Sequence, residues 1–297
     1  MEPTEREIEN VRRATKRLKA APVDWEAVTS GGHTPARRWI VTMDDGRTAF
    51  AKVATDELTA SWLRDEHVVY QHLKGAPFMP GYVGYHDDGE QPVLALEDLS
   101  AAAWPPPWTE DRVEAVLATI RSIADTTPPV GLPRADDDHL GIRFGWEEIA
   151  HDPAPFLALG LCSQTWLEQA LPALREAARA APLAGDTLLH FDVRSDNVCF
   201  RDEGSAVLVD WNWTSLGDPW IDVAGWLPSL AAEGGPAPEE VAPDVPPNLV
   251  AAVASYFCAH AGRPAIPTAP RVRAVQLSQA RTALPWAARV LGLPPLA

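Results

Sequence analysis

The hydrophobic and polar positions of the first hundred residues follow two different periods. Residues 4–20 are highly charged with an apolar stripe at helical spacing, which predicts an amphipathic helix that Pro22 ends. The runs RRWIVTM and RTAFAKVA flank an Asp-Asp-Gly turn and predict a β-hairpin. Residues 56–73 return to the helical period, and short strand patterns follow at 82–85 and 92–96. The pattern therefore predicts a small sheet accompanied by one helix.

After Leu99 the character of the chain changes, and helical periods dominate. The run WPPPW predicts a rigid, extended connector. Helices are expected at residues 110–125, at 163–181 and through most of 221–297, which a Pro/Gly-rich loop at 233–248 interrupts. Three short β pieces lie between them, at residues 187–189, 198–200 and 206–209. We therefore expect two lobes, a β-rich N-lobe over residues 1–98 and a mainly helical C-lobe over residues 99–297.

Composition and charge narrow the classes of function. The chain has 297 residues and a formal net charge of -16, which argues against nucleic acid as a partner because phosphate backbones need a basic face. The acidity fits a neutral or cationic substrate, and it equally fits a surface adapted for solubility. No apolar run is long enough to span a bilayer, and the charged N-terminus is unlike a secretory signal. We expect a cytoplasmic protein, a monomer or a weak dimer, without a membrane partner.

The segment HFDVRSDN carries the most informative polar pattern. Asp192 is followed five positions later by Asn197, and Asp210 ends the apolar run AVLVD. Phosphoryl transfer from ATP needs one carboxylate to orient and deprotonate a hydroxyl, together with an amide oxygen and a second carboxylate to hold magnesium. Because the hairpin around RDEGS carries Asp210 back towards Asn197, we expect the three side chains to converge at one end of a small sheet. The alternative is a pair of loops with solvated or capping side chains.

HFDVRSDN and VLVDWNW together resemble the motifs of the aminoglycoside phosphotransferase and choline kinase family, distant relatives of protein kinases, and GDPWIDVA is similar to a further element of that family. The resemblance implies an α+β, protein-kinase-like two-lobe fold that uses ATP and Mg²⁺. It also implies that Asp192 positions the acceptor hydroxyl and that Asn197 and Asp210 bind magnesium. His190 would be architectural, and Asp222 would brace the catalytic loop.

Lys52, in the run AFAKVA, is the candidate for binding the α- and β-phosphates. The family resemblance implies a glutamate on the following helix that holds this lysine. Glu66 is well placed for the role, and Glu57 is the competitor. Taken alone, Lys52 would be interpreted as an exposed lysine on a half-buried strand, because most lysines are exposed.

The segment LALEDLS resembles the hinge between kinase lobes. The resemblance implies that backbone groups near Glu97 and Leu99 bind the adenine and that Leu96 lines the base pocket. An interior strand followed by a turn is compatible with the same residues. Upstream, TSGGHTP occupies the place of a phosphate-covering loop, where small residues let backbone amides approach phosphates. The candidates there are Ser30, Gly31 and Gly32, and an ordinary turn is the alternative.

Two positions depart from the family pattern. Phe191 occupies a position usually held by glycine, and Asp210 is followed by Trp211 and Asn212 rather than by Phe-Gly. Neither departure removes a chemical group, so both concern the conformation of the loops.

We therefore expect a small-molecule kinase whose acceptor is an alcohol, an aminoglycoside-like antibiotic or an amino sugar in the first place. A choline or amino-alcohol kinase, a non-catalytic nucleotide-binding module and a metal-dependent hydrolase are the alternatives. Acceptor recognition is expected in residues 132–180 and in the C-terminal helices. The acidic candidates for this recognition are Asp136, Asp137, Asp138, Glu147 and Glu148.

Overall fold

A computed structural model describes residues 2–29, 35–138, 141–201, 204–267 and 269–296. The chain forms two compact units, each built from two segments of sequence. The first unit contains Met1–Trp104 and Asp196–Trp213, and the second contains Pro105–Ser195 and Thr214–Ala297. The lobe boundary expected at residue 98 stays a prediction, and the first unit also includes residues 196–213, which the sequence pattern assigned to the C-lobe.

The helices and strands of the described residues are as follows. The strands are β1 (Pro22–Ala27), β2 (Arg37–Met43), β3 (Thr48–Val53), β4 (Tyr82–His86), β5 (Val93–Leu96), β6 (Thr187–Leu189), β7 (Val198–Phe200), β8 (Ala206–Leu208) and β9 (Ser215–Gly217). The helices are α1 (Glu5–Ala14), α2 (Glu57–His72), α3 (Glu110–Ala124), α4 (Gly145–His151), α5 (Ala154–Leu157), α6 (Gln164–Arg179), α7 (Trp220–Ala232), α8 (Pro238–Val241), α9 (Pro247–Gly262) and α10 (Val272–Val290).

The first unit is organised around a five-stranded antiparallel sheet of order β1-β2-β3-β5-β4. The predicted β2–β3 hairpin and the β4 and β5 strands are confirmed. Strand β1 was not predicted, because PVDWEA is a half-exposed edge strand whose apolar positions do not alternate regularly. One face of the sheet packs with α1 into an apolar cluster that includes Val11, Trp39, Val41 and Ala51.

Helix α1 is shorter than its sequence pattern predicts. Thr4 and Glu7 form a capping box at its start, with a distance of 2.7 Å from the Thr4 backbone nitrogen to Glu7 Oε2. The helix ends at Ala14, and the chain continues in a 3₁₀ turn at Lys16–Leu18. The Thr15 hydroxyl donates to the Val11 carbonyl at 2.8 Å and satisfies an acceptor at this C-terminus. The helix therefore stops well before Pro22.

The hairpin formed by β7 and β8 belongs to the first unit, although it is far from the sheet in sequence. The Leu208 backbone N–H donates to the Phe78 carbonyl at 2.9 Å, and Phe200 forms a bridge with Ala103. The Trp211 side chain is fully buried and lies 5.8 Å from the Phe78 ring. These contacts fix the end of the hairpin, where Asp210 is located.

The second unit is mainly helical and is built around α9. The buried residues of α9 lie on all sides of the helix, because α4, α6, α7 and α10 each contact it. Trp146 of α4 is anchored to α9 twice, by its backbone N–H to Ser255 Oγ and by its indole N–H to the Ala251 carbonyl, both at 2.9 Å. Strand β6 pairs with β9, a short strand that was not predicted. None of the helices in the described ranges is both long and apolar enough to cross a lipid bilayer.

Candidate active site

Lys52 bridges two carboxylates within the first unit. Its Nζ atom lies 2.8 Å from Glu66 Oε2 and 2.5 Å from Asp210 Oδ1. The Lys52 and Glu66 side chains are almost completely buried, with 7% and 1% of their surface exposed. The glutamate on α2 that pairs with the lysine is therefore Glu66, whereas Glu57 is exposed in the first turn of the helix. Their predicted role in nucleotide binding stays a prediction.

The electrostatics of this cluster favour a permanently charged lysine. Burial by itself lowers the pKa of Lys52, but the charges of Asp210 and Glu66 outweigh burial, so the pKa is raised. Burial raises the pKa of Glu66. Lys52 and the backbone N–H of Trp211 lower it, but they only partly offset the effect of burial. The cluster therefore provides a fixed cation whose position is set by two anionic groups on different elements.

Asp210 is held in an unusual backbone conformation. Its φ is 68°, in the left-handed region that aspartate tolerates better than most residues. With its amide nitrogen directed at Asp210, Asn212 donates to Asp210 Oδ1 at 3.1 Å. Residues Trp211–Trp213 form a 3₁₀ turn, and the Trp213 ring lies 6.2 Å from the Trp62 ring of α2. The Trp-Asn departure from the family pattern thus produces a fixed turn after the aspartate.

Asn197 lies on the other strand of the same hairpin, next to the end that carries Asp210. It is buried, and its backbone carbonyl accepts a hydrogen bond from Val209 N–H at 2.9 Å. Among the residues that the structure describes, no group of three or more histidines, cysteines, aspartates or glutamates is arranged to hold a metal ion. A single amide and a single carboxylate suit magnesium, which keeps several waters and takes further oxygens from a substrate's phosphates.

The sheet face that carries Lys52 presents two rows of side chains. Register pairs Arg38 with Lys52, and paired residues of antiparallel strands project to the same face. Two pairs further along, Ile40, Phe50 and Leu96 form an apolar row on that face. Ile40 and Phe50 are only half-buried, whereas the opposite face of β2 is closed by the apolar cluster with α1. A cationic row therefore lies about 7 Å along the strands from an apolar row that is partly open.

Arg38, Ile40 and Phe50 were missed by the sequence analysis. The signal was present in RRWIVTM and TAFAKVA, because alternate positions in a strand share a face with Lys52. It could not be used without the register, which decides which residues of β2 and β5 lie beside the lysine.

The segment after β5 forms a well-bonded turn. Glu97 forms two hydrogen bonds with Gly81. Its backbone N–H donates to the Gly81 carbonyl, and its Oε2 accepts from the Gly81 N–H, both at 2.7 Å. Arg201 also contacts Glu97 Oε2 at 2.8 Å. The Leu99 carbonyl accepts from Ala102 N–H at 3.0 Å. Within the described ranges, the Glu97 carbonyl and the Leu99 N–H remain without a hydrogen-bond partner.

In the second unit, Asp222 braces the loop that contains HFDVRSDN. Its carboxylate accepts the backbone N–H of His190 at 2.8 Å and that of Phe191 at 2.7 Å. Asp222 and His190 are both buried. Burial raises the pKa of Asp222 to about 6, although the two backbone hydrogen bonds lower it and the charge of Asp192 raises it further. This geometry matches the support that was predicted for Asp222, while the role itself stays a prediction.

Asp192 lies in this braced loop, within the second unit. Its backbone N–H donates to His190 Nδ1 at 3.3 Å, and its Oδ1 lies 3.6 Å from Arg194 Nε. Burial is the main cause of the raised pKa of Tyr256 in α9. The charge of Asp192 raises this pKa further, and that of Arg194 lowers it. Asp192 is thus a partly exposed carboxylate on a loop that Asp222 and His190 hold in place.

Most of the acidic candidates for acceptor recognition are engaged with other residues of the second unit. Asp136 contacts Arg134, Glu147 contacts Arg175 and Arg179, and Glu148 contacts Arg263. Asp138 accepts the backbone N–H groups of Ile142 and Arg143, whereas Asp137 is exposed. The phosphate-loop candidates Ser30, Gly31 and Gly32 lie outside the described residues.

The first unit has a β-sheet with a buried lysine–glutamate pair and the hairpin that carries Asn197 and Asp210, and the second is a helical unit with a braced aspartate loop. Together these features define a protein-kinase-like α+β fold. The model of a family described as the phosphotransferase enzyme family matches residues 26–266, so the chain belongs to that family. One curated relative, acyl-CoA dehydrogenase family member 10 of Mus musculus, is 37% identical over 75 residues. The match covers 20% of this chain and 7% of that protein, so the chain spans a small part of this relative's length.

Solved structures share the fold over nearly the whole chain. The aminoglycoside phosphotransferase APH(4)-Ia, solved in a ternary complex with ADP and hygromycin B, is 18% identical with a TM-score of 0.56, covering 93% of this chain and 97% of that one. A macrolide 2'-phosphotransferase type I is 17% identical with a TM-score of 0.54, over 98% and 94% of the two chains. An aminoglycoside phosphotransferase from Alicyclobacillus acidocaldarius is 15% identical with a TM-score of 0.53, over 95% and 96%. At these identities the likeness concerns the fold alone.

Proposed function

We propose that this protein is a small-molecule kinase that transfers the γ-phosphoryl group of ATP, bound with magnesium, to a hydroxyl group of its acceptor. The observation that carries the proposal is the buried Lys52, whose Nζ lies 2.8 Å from Glu66 and 2.5 Å from Asp210. Removing a lysine and its carboxylate partners from water costs desolvation free energy. The fixed positive charge that results suits the binding of a polyphosphate beside a metal ion.

The nucleotide would use the two rows of the sheet. The apolar row of Ile40, Phe50 and Leu96 is partly open and suits a purine ring. The Glu97 carbonyl would accept from the exocyclic amine of adenine, and the Leu99 N–H would donate to a ring nitrogen. The phosphates would then extend towards the cationic row, which contains Lys52.

Magnesium would be held by Asp210 and Asn197. When bound, the ion offsets the charge of the phosphates and orients them. The contribution of this chain is the placement of the ligands. The β7–β8 hairpin fixes Asn197, and the 3₁₀ turn with Asn212 restrains Asp210. The hydrogen-bonded hairpin leaves these oxygens little freedom, which lowers the cost of ordering them around an ion.

Asp192 would orient the acceptor hydroxyl and accept its proton. The loop is pre-organised for this, because Asp222 satisfies the N–H groups of His190 and Phe191 and His190 Nδ1 accepts from Asp192 N–H. The proton of the attacking hydroxyl would pass to an Asp192 carboxylate oxygen as the hydroxyl oxygen bonds to the γ-phosphorus. The bond between that phosphorus and the β–γ bridging oxygen would break in the same step, with ADP as the leaving group. Placement and electrostatic stabilisation supply most of the reduction in the barrier.

The acceptor would be a hydroxylated small molecule with few positive charges. A polycation binds where several carboxylates are available, but Glu147 and Glu148 are already paired with arginines. Arg194 Nε lies 3.6 Å from Asp192 Oδ1, and the charges of Arg194 and Arg263 both lower the pKa of Tyr256, although burial raises it overall. A macrolide-like compound, an amino sugar or a choline-like alcohol fits this balance better than a polycationic aminoglycoside.

The test is a screen of ATP-dependent phosphorylation, read by mass spectrometry of the acceptor. The panel contains neutral sugars, amino sugars, macrolides, choline-like alcohols and polycationic aminoglycosides. We expect a phosphorylated product from a weakly charged acceptor, and none from the Asp192→Ala variant under the same conditions. Glu114→Gln removes an exposed carboxylate of helix α3 in the same unit and serves as the matched control.

Three outcomes would count against the proposal. Equal product from wild type and Asp192→Ala would remove Asp192 from the mechanism. Preferential phosphorylation of polycations would contradict the inference about the acceptor while leaving the kinase activity in place. Turnover of a phosphorylated compound without ATP would indicate a hydrolase instead.

A further inference from the structure

Two adjacent arginines on β2 have opposite surroundings. Arg37 projects to the α1 side of the sheet, where its guanidinium donates to Glu7 Oε2 at 2.9 Å. Arg38 projects to the other face, directly beside Lys52 in the register of β2 and β3. One arginine therefore has a carboxylate partner in the fold, and the other lies on the face that we assign to the nucleotide.

The Arg38 guanidinium is incompletely satisfied in the folded protein. Its Nε atom is buried and has no hydrogen-bond partner in the part of the chain that the structure describes. Burial lowers the pKa of Arg38, and the charges of Asp210 and Asp196 offset this effect only in part. A buried donor on a charged group destabilises the folded state unless something completes its hydrogen bonds. A donor of this kind, on the same face as Lys52, fits a position where a ligand supplies the acceptor.

We propose that Arg38 binds the terminal phosphates of the nucleotide. The proposal rests on nucleotide binding at the Lys52 face and adds a residue to it. A guanidinium presents several N–H donors in a plane and can engage two phosphate oxygens at once. Because Arg38 pairs with Lys52, whose Nζ lies 2.5 Å from Asp210 Oδ1, Arg38 lies on the Asp210 side of the sheet and would meet the β- and γ-phosphates rather than the base.

This position predicts a dependence on the length of the phosphate chain. Loss of the guanidinium should weaken the binding of a triphosphate most, a diphosphate less and a monophosphate little. A charge-assisted hydrogen bond corresponds to a change of roughly 10- to 100-fold in affinity. The loss should therefore appear as a change in the ratio between nucleotides, which a general disturbance of the sheet would not produce.

The experiment compares Arg38→Gln with Arg37→Gln, its neighbour on the opposite face. Dissociation constants of AMP-PNP, ADP and AMP are measured by calorimetry in the presence of magnesium. We expect Arg38→Gln to bind AMP-PNP at least about tenfold more weakly while the affinity for AMP stays the same. Arg37→Gln should leave all three constants unchanged. Arg38→Lys keeps the charge but not the planar fork and should fall between wild type and Arg38→Gln.

Thermal unfolding without nucleotide provides a second measurement, in which the melting temperatures of the two variants should differ. Arg37→Gln removes the partner of the buried Glu7 carboxylate and should lower the melting temperature. Arg38→Gln removes a half-buried guanidinium whose buried Nε atom has no hydrogen-bond partner among the described residues, so the melting temperature should stay the same or rise. A structural role for Arg38 would instead lower it.

Unchanged affinity of Arg38→Gln for AMP-PNP would overturn the proposal. So would an equal loss for AMP-PNP and AMP together with a lower melting temperature, since that pattern indicates a structural role. If wild-type protein binds AMP-PNP poorly, the proposed kinase function fails first and Arg38 loses its ligand with it. These results differ from one another, so failure of the residue assignment and failure of the function can be told apart.

Discussion

The carboxylate of Asp222 accepts the backbone N–H of Phe191 at 2.7 Å, and Phe191 adopts a φ of 69°. A bulky side chain in the left-handed region costs about 1–2 kcal/mol, because Cβ approaches a neighbouring carbonyl oxygen. The fold tolerates this cost because Asp222 and His190 hold both sides of the residue. At the position where the family resemblance implies a glycine, this chain therefore holds a phenylalanine in a backbone conformation that favours glycine.

The strain at Phe191 can be measured by comparing two small substitutions. Glycine normally destabilises a folded chain relative to alanine, because its unfolded state has more freedom. At a positive φ the order reverses, so Phe191→Gly should be more stable than Phe191→Ala by about 1 kcal/mol in urea unfolding. The comparison cancels the loss of the aromatic ring, which both variants share. Alanine proving the more stable of the two would show that the backbone is unstrained here.

Asp222 should make stability depend on pH in a particular direction. Its pKa is about 6 in the folded protein against an ordinary value of 3.8, so between these values the folded chain binds a proton that the unfolded chain lacks. The contribution of Asp222 to the free energy of unfolding is therefore largest below pH 4 and is lost as the pH rises through 6. We expect the stability of wild type relative to Asp222→Asn to fall by about 2 kcal/mol between pH 4.5 and pH 7.

The measurement for Asp222 is chemical unfolding of both proteins across that range. Taking the difference removes the titration of all other carboxylates, including those whose pKa is lowered by arginine partners. A difference that stays constant with pH, or grows towards pH 7, would mean that Asp222 keeps its charge throughout.

Lys52 and Glu66 should be strongly coupled in a double-mutant cycle. Lys52→Met leaves a buried carboxylate without its cation and should cost about 3 kcal/mol of stability. Adding Glu66→Gln should recover part of this loss, giving a coupling energy of at least about 1 kcal/mol. Glu57→Gln is the matched control, because Glu57 is exposed on the same helix and should combine additively with Lys52→Met. Additive effects for Glu66 as well would contradict the ion pair.

Asp210 should control the response to magnesium. Asp210→Asn removes the negative charge of the proposed metal ligand while keeping the shape of the side chain. We expect nucleotide binding by the variant to require roughly tenfold or more magnesium, read from titrations at fixed nucleotide. Asp24→Asn, on the exposed edge strand β1, provides the control. Overlapping titration curves for wild type and Asp210→Asn would remove Asp210 from the metal site.

The parts of the site that sequence could predict are those set by short-range pattern. The β2–β3 hairpin follows from period-two alternation around a turn. The resemblance to the family implied a glutamate on the next helix, with Glu66 and Glu57 as the candidates, and the contact with Lys52 selects Glu66. The β7–β8 hairpin likewise follows from the turn between two apolar runs. Each hairpin requires only neighbouring residues and the preferred geometry of one element.

The parts that sequence could not predict depend on register and tertiary contact. Whether Arg38 or Arg37 faces Lys52 depends on the pairing of β2 with β3, which a shift of one residue would reverse. The short strand β9 exists because β6 supplies its partner, and its own three residues carry little signal. The pairing of Glu147 and Glu148 with arginines is equally invisible in the sequence, although the proposal about the acceptor depends on it.

The hairpin that carries Asn197 and Asp210 belongs to the same compact unit as the N-terminal sheet, yet Pro105–Ser195 separates the two in sequence. During synthesis the ribosome releases the sheet long before the hairpin. Until the hairpin is made, the surface that packs against Trp211 stays exposed to solvent. A fragment that stops at Trp104 would for the same reason expose an apolar surface around Phe78 and be prone to aggregate. Expression trials aimed at the first unit should therefore retain the whole chain or splice the hairpin onto the sheet through a designed linker.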